Sequence, residues 1–523
     1  YVPVIQRRFH LRNLSALQGE SSAFRVGSRA MSSVKLSEKP NAGEPLVVGL
    51  AVASNKSLSI ESSVTALDSK ALLAALSSMS AQGSLEEITK VPLNGGLILC
   101  VGLGEKSKSY APELLRRAAG SAARSLAGST SASFALPYST SADVAAIAEG
   151  AALGAYEFNE FRFTSKADKA LPLQKITVVT KFAKDAANKK AAQRAEIIAK
   201  HTFFVRDLIN TPPSHLNPES FSARSKKIAL SLGLKVEILN AATLKAKGYG
   251  GISAVGQGSA NTPRLLHISY SPKSAKKRYA FVGKGITFDS GGLALKPAQG
   301  MEEMKSDMSG AAAVVGSIFA IAELKLPVAI DVWAPLAENM ISENATRPSD
   351  IITMYGGKTV EVLNPDAEGR LVLGDALVRA AEVGKKSGGL DGIIDVATLT
   401  GAQIVALGTR TSAVMTNNLD FSGQFLTAAA QSGEAFWPMP LPDELRASLD
   451  SPVADIANIG DRMGGMLVAG IFLREFVSPD LPWLHLDIAG PAFNTKKAHG
   501  YTPVGGTGVA LRTLVTLAEL ASA

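Results

Sequence analysis

From about residue 45 onward, short apolar runs carrying β-branched residues alternate with stretches rich in Ala, Leu and Lys. Such alternation constrains the chain to a layered α/β architecture, because each strand and each helix must bury an apolar face against the next layer. In the first part, residues 46–52 and 96–102 read as strands, and 71–76 and 113–126 as helical stretches. Residues 125–141 are rich in Ala, Ser and Thr and read as a surface elaboration, after which 144–153 regain helix-forming composition. Residues 189–210 carry Ala, Lys and Arg with few breakers and end at Thr211-Pro212-Pro213. A helix stopped by a double proline is a natural domain connector. Beyond it the rhythm sharpens: strand 279–283, helix 309–324, strand 328–336, helix 370–383 and strand 392–397. The expected division is an extension over 1–40, a smaller α/β domain over 41–188, a connecting helix and linker over 189–213, and a larger α/β domain over 214–523.

Composition narrows the partners. The net charge of +8 suggests nucleic acid, but Arg7, Arg8, Arg12, Arg25, Arg29 and Lys35 face only Glu20 within residues 1–35, so the body is nearly neutral. Nucleic acid is therefore disfavoured as a partner. The first segment, rich in Arg and Ser and poor in acids, reads equally as an organellar transit peptide or a solvated tail. Because the chain starts at Tyr1, its own start is expected to lie upstream, and Met31 could also serve as an initiator. No apolar run reaches the roughly 18 residues of a membrane span. The single Cys100 sits in an apolar run, where it cannot form an internal disulfide and lacks the electropositive setting of a reactive thiolate. A reducing, cytoplasmic compartment is expected, with mitochondria as the alternative if residues 1–35 are a transit peptide.

Two short blocks concentrate the chemistry. The first runs Gly283-Lys284-Gly285-Ile286-Thr287-Phe288-Asp289-Ser290-Gly291-Gly292 and continues to Lys296 and Asp307. The second is Asn364-Pro365-Asp366-Ala367-Glu368-Gly369-Arg370. Asp366 and Glu368, two apart, project from one side of an extended segment. Oxygen ligation by Asp289, Asp307, Asp366 and Glu368 suits zinc, manganese, cobalt or magnesium. With six histidines and no His-Glu-x-x-His pattern, an imidazole zinc site of that form is excluded. Beside a dication Lys284 would lose its proton and offer a neutral amine, whereas Lys296 and Arg370 are better left charged where an oxyanion develops. Taken singly, each of these seven reads as a solvated loop residue. Two competing motifs fail: Ser290 has no Gly-x-Ser-x-Gly elbow, and the Lys284 stretch lacks the spacing of a phosphate loop.

The heptapeptide 364–370 closely resembles the signature of the leucyl aminopeptidase family, the M17 metallopeptidases. Lys284, Asp289, Lys296, Asp307, Asp366, Glu368 and Arg370 fall at that family's spacing. The likeness extends through Asn210-Thr211-Pro212-Pro213, Ala397-Thr398-Leu399-Thr400-Gly401 and His485-Leu486-Asp487-Ile488-Ala489-Gly490, covering roughly residues 205–515. The resemblance implies a macro-domain-like N-terminal α/β domain and a catalytic domain with a mixed central sheet. It implies two divalent metals, Mn²⁺ or Zn²⁺ and otherwise Co²⁺ or Mg²⁺. One would be held by Asp289, Asp366, Glu368 and the Asp366 carbonyl, the other by Lys284, Asp289, Asp307 and Glu368. Lys296 would polarise the scissile carbonyl, and Arg370 would anchor a bicarbonate acting as general base toward a metal-bridging water. Met304, Asn364, Thr398, Leu399 and Gly401 would line a cleft for short peptides, although core packing explains Met304 and Leu399 equally well. The family implies a homohexamer, a dimer of trimers, and removal of N-terminal leucine and other apolar residues. The alternative is a nucleic-acid-binding or scaffolding hexamer with secondary or lost peptidase activity. Pro365 departs from the family's usual threonine and removes a backbone donor beside the site.

Overall fold

The computed structural model describes residues 32–522, so the reading of residues 1–31 as transit peptide or tail, and Met31 as initiator, lies outside the described residues. The first sheet has seven strands: β1 (Ser33–Ser37), β2 (Leu46–Val52), β3 (Leu58–Glu61), β4 (Ile88–Leu93), β5 (Gly96–Glu105), β6 (Ser131–Phe134) and β7 (Lys175–Val179). Their order is β1-β7-β6-β2-β5-β4, with β3 beside β2. The run β1-β7-β6-β2-β5 is parallel, and β3 and β4 join it antiparallel. Cys100 is fully buried in β5, and burial pushes its thiol up to about 12.

Two expectations are corrected here. Residues 33–37, assigned to the extension, form the edge strand β1, whose Val34 N–H donates to Glu196 Oε1 at 2.6 Å. Residues 125–141 are no surface elaboration, because Ser131–Phe134 is an interior strand whose Ala132, Ser133 and Phe134 are fully buried. Their small side chains suit close packing. The flanking helices Pro112–Ser125 and Ser141–Gly154 approach so tightly that a Cβ at Gly150 would fall 2.0 Å from the Arg116 carbonyl oxygen.

A 25-residue helix, Ala186–Asn210, leads out of this region and stops at Thr211 before the prolines. The remaining strands are β8 (Lys235–Leu239), β9 (Arg264–Tyr270), β10 (Arg278–Gly283), β11 (Gly285–Asp289), β12 (Ala329–Asn339), β13 (Asp350–Thr353), β14 (Thr359–Val362), β15 (Gly392–Ala397), β16 (Ser412–Thr416), β17 (Phe436–Pro438), β18 (Ile456–Ala457), β19 (Trp483–Asp487) and the short pair β20 (Phe493–Asn494) and β21 (Gly505–Gly506). Nine of them form a mixed sheet ordered β17-β16-β19-β15-β10-β12-β9-β8, with β11 beside β12, while β13, β14 and β18 form a small one. The central run β19-β15-β10-β12 is parallel. On one face Ile394, Val396, Leu484 and Leu486 pack in the cluster of the helix Ser309–Glu323, which is buried nearly all round. On the other, Ile393, Ala397 and Trp483 pack with Leu371, Val372 and Leu373 of the helix Gly369–Lys386. Since side chains alternate along a strand, Asp395, His485 and Asp487 belong to that second face.

A buried ion cluster joins the two halves. Glu149, on the helix Ser141–Gly154, meets Arg116 at 3.1 Å, Arg194 of the connecting helix at 2.6 Å and Arg512 of the final helix Leu511–Leu520 at 3.2 Å. Burial opposes the Glu149 charge, yet the three guanidiniums overcome it and hold its carboxyl at about 2, below the ordinary 4.5. A depressed acid contributes stability above its unfolded value and loses it as pH falls toward the folded one. The cluster's contribution is thus full above about pH 4.5 and fades toward pH 2, by about 3 kcal/mol. Glu149→Gln removes the anion that the three arginines share and leaves Arg116, Arg194 and Arg512 with only Glu113, Glu519 and Glu434; it is expected to destabilise the fold by about 3 kcal/mol at neutral pH, read by denaturant melts, with a smaller difference from wild type at pH 3.

Candidate metal centre

The site lies where the central parallel strands end, the usual place for chemistry in an α/β sheet. Lys284 separates β10 from β11, and Asp289 closes β11. Asp307 caps the short helix Met301–Ser306, and Glu368 opens the helix Gly369–Lys386. Close backbone approach makes this assembly possible. A Cβ at Gly310 would fall 2.2 Å from the Val396 carbonyl oxygen, and one at Gly369 would fall 2.5 Å from Lys284 Cε. At Gly291, φ is +85° and a Cβ would also strike the Ala294 carbonyl at 2.5 Å.

All seven residues singled out in the two blocks are present at this strand-end region. Lys284 Nζ lies 2.8 Å from both Asp307 and Glu368 Oε1 and donates to the Thr398 carbonyl at 2.9 Å. Lys296 Nζ lies 2.8 Å from Asp289 Oδ2 and 2.5 Å from Asp366 Oδ1. Arg370, also buried, donates from Nη1 to the Asn458 carbonyl at 2.8 Å, while its Nε has no partner. Oxygens of Asp289, Asp366 and Glu368 lie within 4.8 Å of one another. Asp307 Oδ2, Asp366 Oδ1 and Glu368 Oε1 are buried at ion-pair distance from an ammonium, yet none accepts a hydrogen bond of normal geometry. Buried anionic oxygens left this way are ready donors for a cation.

The electrostatics follow from crowding. Burial raises the pKa values of Asp307, Glu368 and Asp366, and the neighbouring Asp289 raises each further against the lysines. Burial disfavours the ammonium of Lys284, but Asp307, Glu368 and Asp289 outweigh it and hold the amine well above the ordinary lysine value. Lys296 is raised in the same way by Asp289, Glu368 and Asp366. With carboxylates as its only close charges, Lys284 is thus an ammonium, and the neutral amine expected from the sequence depends on dications beside it. For Arg370, burial lowers the pKa to about 10, which leaves it cationic at neutral pH.

The segment around Asp366 is a turn rather than the expected extended run. Asn364 Oδ1 accepts the Asp366 N–H at 2.9 Å, the Asn364 carbonyl accepts the Ala367 N–H at 3.0 Å, and Glu368 is helical at φ −81°. Asp366 and Glu368 therefore converge by curvature, not by strand alternation.

Of the expected cleft residues, Thr398 supports the cluster, donating from Oγ1 to Asp307 Oδ1 at 2.7 Å. Met304 is half-buried in the helix Met301–Ser306, and Leu399 packs against the core beneath the helix Gly369–Lys386. Gly401 is exposed at the start of the helix Gly401–Leu407. Two supporting residues were missed. Asn339 Nδ2 donates to Asp289 Oδ1 at 2.9 Å and to the Pro365 carbonyl at 3.1 Å, tying one block to the other. Asn458 accepts the Leu363 and Asn364 N–H groups at 2.8 and 3.2 Å, donates to the Asn364 carbonyl at 2.7 Å, and takes Arg370 on its own carbonyl. Ser290 is buried, its hydroxyl donating to the Asn339 carbonyl at 2.8 Å, which removes it as a nucleophile.

Comparison with known proteins places this geometry. Residues 203–515 match the catalytic domain of the cytosol aminopeptidase family, and residues 47–165 match its N-terminal domain. A probable cytosol aminopeptidase of Streptomyces coelicolor is 51% identical over 472 residues, covering 86% of this chain and 90% of that protein. One from Streptomyces avermitilis is 52% identical over 465 residues, with the same coverage. Among solved structures, the bottromycin maturation enzyme BotP in complex with Mn aligns with a TM-score of 0.81 at 35% identity, over 92% of this chain and 100% of that one. A mutant tomato leucine aminopeptidase aligns with a TM-score of 0.82 at 32% identity, over 94% and 97%.

Proposed function

Because the chain belongs to the cytosol aminopeptidase family and is a metal-dependent aminopeptidase, a hydrolase, we propose that it removes N-terminal leucine and other apolar residues from short peptides at a centre of two divalent ions. The observation that carries this reading is the convergence of Asp289, Asp307, Asp366, Glu368 and Lys284, with three carboxylate oxygens lacking hydrogen bonds. Asp289, Asp366, Glu368 and the Asp366 carbonyl would hold one ion, and Lys284, Asp289, Asp307 and Glu368 the other. Mn²⁺ or Zn²⁺ suits these donors best, with Co²⁺ or Mg²⁺ also compatible. Bound there, the ions supply a Lewis acid for the scissile carbonyl and a water acidic enough to attack at neutral pH.

The protein's own groups do the rest. Lys284 gives up its proton to become a neutral ligand when cations replace the carboxylates as its dominant neighbours. Lys296, released from Asp289 and Asp366, turns its ammonium toward the substrate oxygen and stabilises charge that develops there. Arg370 Nε, buried and unpartnered, is the donor that would anchor bicarbonate as general base. Met304, Asn364, Thr398, Leu399 and Gly401 line the cleft. A free α-amine would be required, because the substrate's own nitrogen would serve as a further donor to a bound ion.

Leucine p-nitroanilide is therefore expected to be cleaved by the Mn²⁺-loaded enzyme. N-acetyl-leucine p-nitroanilide is expected to be cleaved at least about 1,000-fold more slowly, since one metal contact is lost in every state along the reaction. Equal rates for the two anilides in a stopped-time absorbance assay would sink the exopeptidase reading. The domains divide as 32–188, which takes in the edge strand Ser33–Ser37, and 214–523, joined through 189–213. We also propose a cytoplasmic homohexamer of two stacked trimers.

A further inference from the structure

Strand pairing brings one distant side chain against the turn that carries Asp366. β14 and β18 run in parallel, with Glu361 opposite Ala457, so the residues that follow the two strands lie side by side. Asn458 is the first residue after β18, it is fully buried, and its N–H donates back to the Glu361 carbonyl at 2.9 Å. Its side-chain oxygen accepts the Leu363 and Asn364 N–H groups at 2.8 and 3.2 Å. Its side-chain nitrogen donates to the Asn364 and Ala367 carbonyls at 2.7 and 3.4 Å. A second buried amide, Asn339, donates to the Pro365 carbonyl at 3.1 Å and to Asp289 Oδ1 at 2.9 Å.

The Asp366 and Ala367 N–H groups close onto Asn364 within the turn itself. Within residues 364–367 every backbone N–H is therefore bonded, and so is every carbonyl but one. The Asp366 carbonyl alone accepts no hydrogen bond from the described residues. Backbone carbonyls are strong acceptors, and the one left free belongs to the residue whose carboxylate already lies in the acidic cluster. Only an amide side chain supplies an acceptor and two donors at once, whereas an aspartate would accept without donating. Asn458 also accepts Arg370 Nη1 on its own carbonyl at 2.8 Å, which ties the turn to the first turn of the helix Gly369–Lys386. We propose that Asn458 is a positioning residue for hydrolysis: it fixes the turn so that the Asp366 carboxylate and the free Asp366 carbonyl are both available to one ion, and it sets Arg370 beside them. The role rests on the two-ion reading above. Lys284 and Asp307 bond to each other, to Thr398 and to Glu368, so the other ion does not depend on Asn458.

The test strips the full chain with a chelator and titrates Mn²⁺ alone by calorimetry, with the melting temperature of the metal-free protein as the control for folding. Asn458→Ala is expected to weaken one of the two ions about 10–100-fold while the other stays within about 3-fold of wild type. Asn458→Asp keeps the shape and both accepted N–H groups but loses both donations, and it carries the test should the alanine variant fail to fold. An added anion would by itself tighten both ions, so selective weakening of one in this variant reads the lost hold on the turn rather than charge. Hydrogen exchange of the Leu363 and Asn364 amides in metal-free protein is expected to quicken in Asn458→Ala and to stay slow in Asn458→Asp. Wild-type affinity for both ions in the variants, or equal weakening of both ions, overturns the role of Asn458. A wild-type protein that takes up fewer than two ions overturns the two-ion reading itself.

Discussion

Asp366→Ala is expected to abolish peptide hydrolysis, by about 1,000-fold or more, while the protein folds and melts within a few degrees of wild type. The fold is spared because the Asp366 side chain is about a third exposed at 31% and its ion-pair partner Lys296 keeps Asp289. Its carboxyl is even a burden to the metal-free protein, since burial and Asp289 both push its pKa up. Activity is lost because Asp366 would give one ion both a carboxylate and a backbone carbonyl. The check is a paired measurement of metal content after gel filtration and turnover of leucine p-nitroanilide. The expected variant binds fewer ions per chain than wild type and turns over at background. A variant with full metal content and normal turnover would remove Asp366 from the ligand set.

Lys296→Met separates charge stabilisation from metal binding. Lys296 lies 2.8 Å from Asp289 and 2.5 Å from Asp366, so the bare site uses it as a counter-ion. Once those carboxylates face dications, its ammonium would be freed to meet the substrate oxygen under the proposed mechanism. Loss of one such donor lowers kcat by about 10²–10³-fold. Metal content is expected to stay at the wild-type value, and KM to change less than kcat, because the interaction strengthens only as charge develops. Calorimetric titration with Mn²⁺ beside steady-state kinetics reads both. A variant that fails to take up metal while retaining its fold would make Lys296 a structural counter-ion instead.

What could be read in advance follows the physics of each segment. Strands 279–283 and 392–397 and the helix at 309–324 were legible because they are buried on both faces, so apolar residues dominate them, with Asp395 and the helix's final Glu323 as the charged exceptions. The seven polar residues were legible because carboxylates and lysines are costly to cluster, and their spacing matched one family. Ser131–Phe134 was not, since Ala and Ser satisfy either a surface stretch or a strand crowded between close helices, and only tertiary packing distinguishes the two. Ser33–Ser37 was hidden by its basic and polar neighbours. Asn339 and Asn458 act through amide hydrogen bonds to backbone across 26 and 94 residues of chain. No local pattern announces such a link. The turn at Asn364-Pro365-Asp366 was misread as extended because the two-residue spacing of Asp366 and Glu368 fits a strand, while the Asn364 side chain closes an Asx turn.

The central claim is that the cluster of Lys284, Asp289, Asp307, Asp366 and Glu368 holds two divalent ions on which peptide hydrolysis depends. Stripping the protein with a chelator, then titrating Mn²⁺ back while recording bound metal and leucine p-nitroanilide turnover together, tests it most directly. Saturation is expected at about two ions per chain, with no turnover in the stripped protein and activity that rises with the second ion. Turnover that persists in fully stripped, folded protein, or that saturates at a single ion, would contradict it.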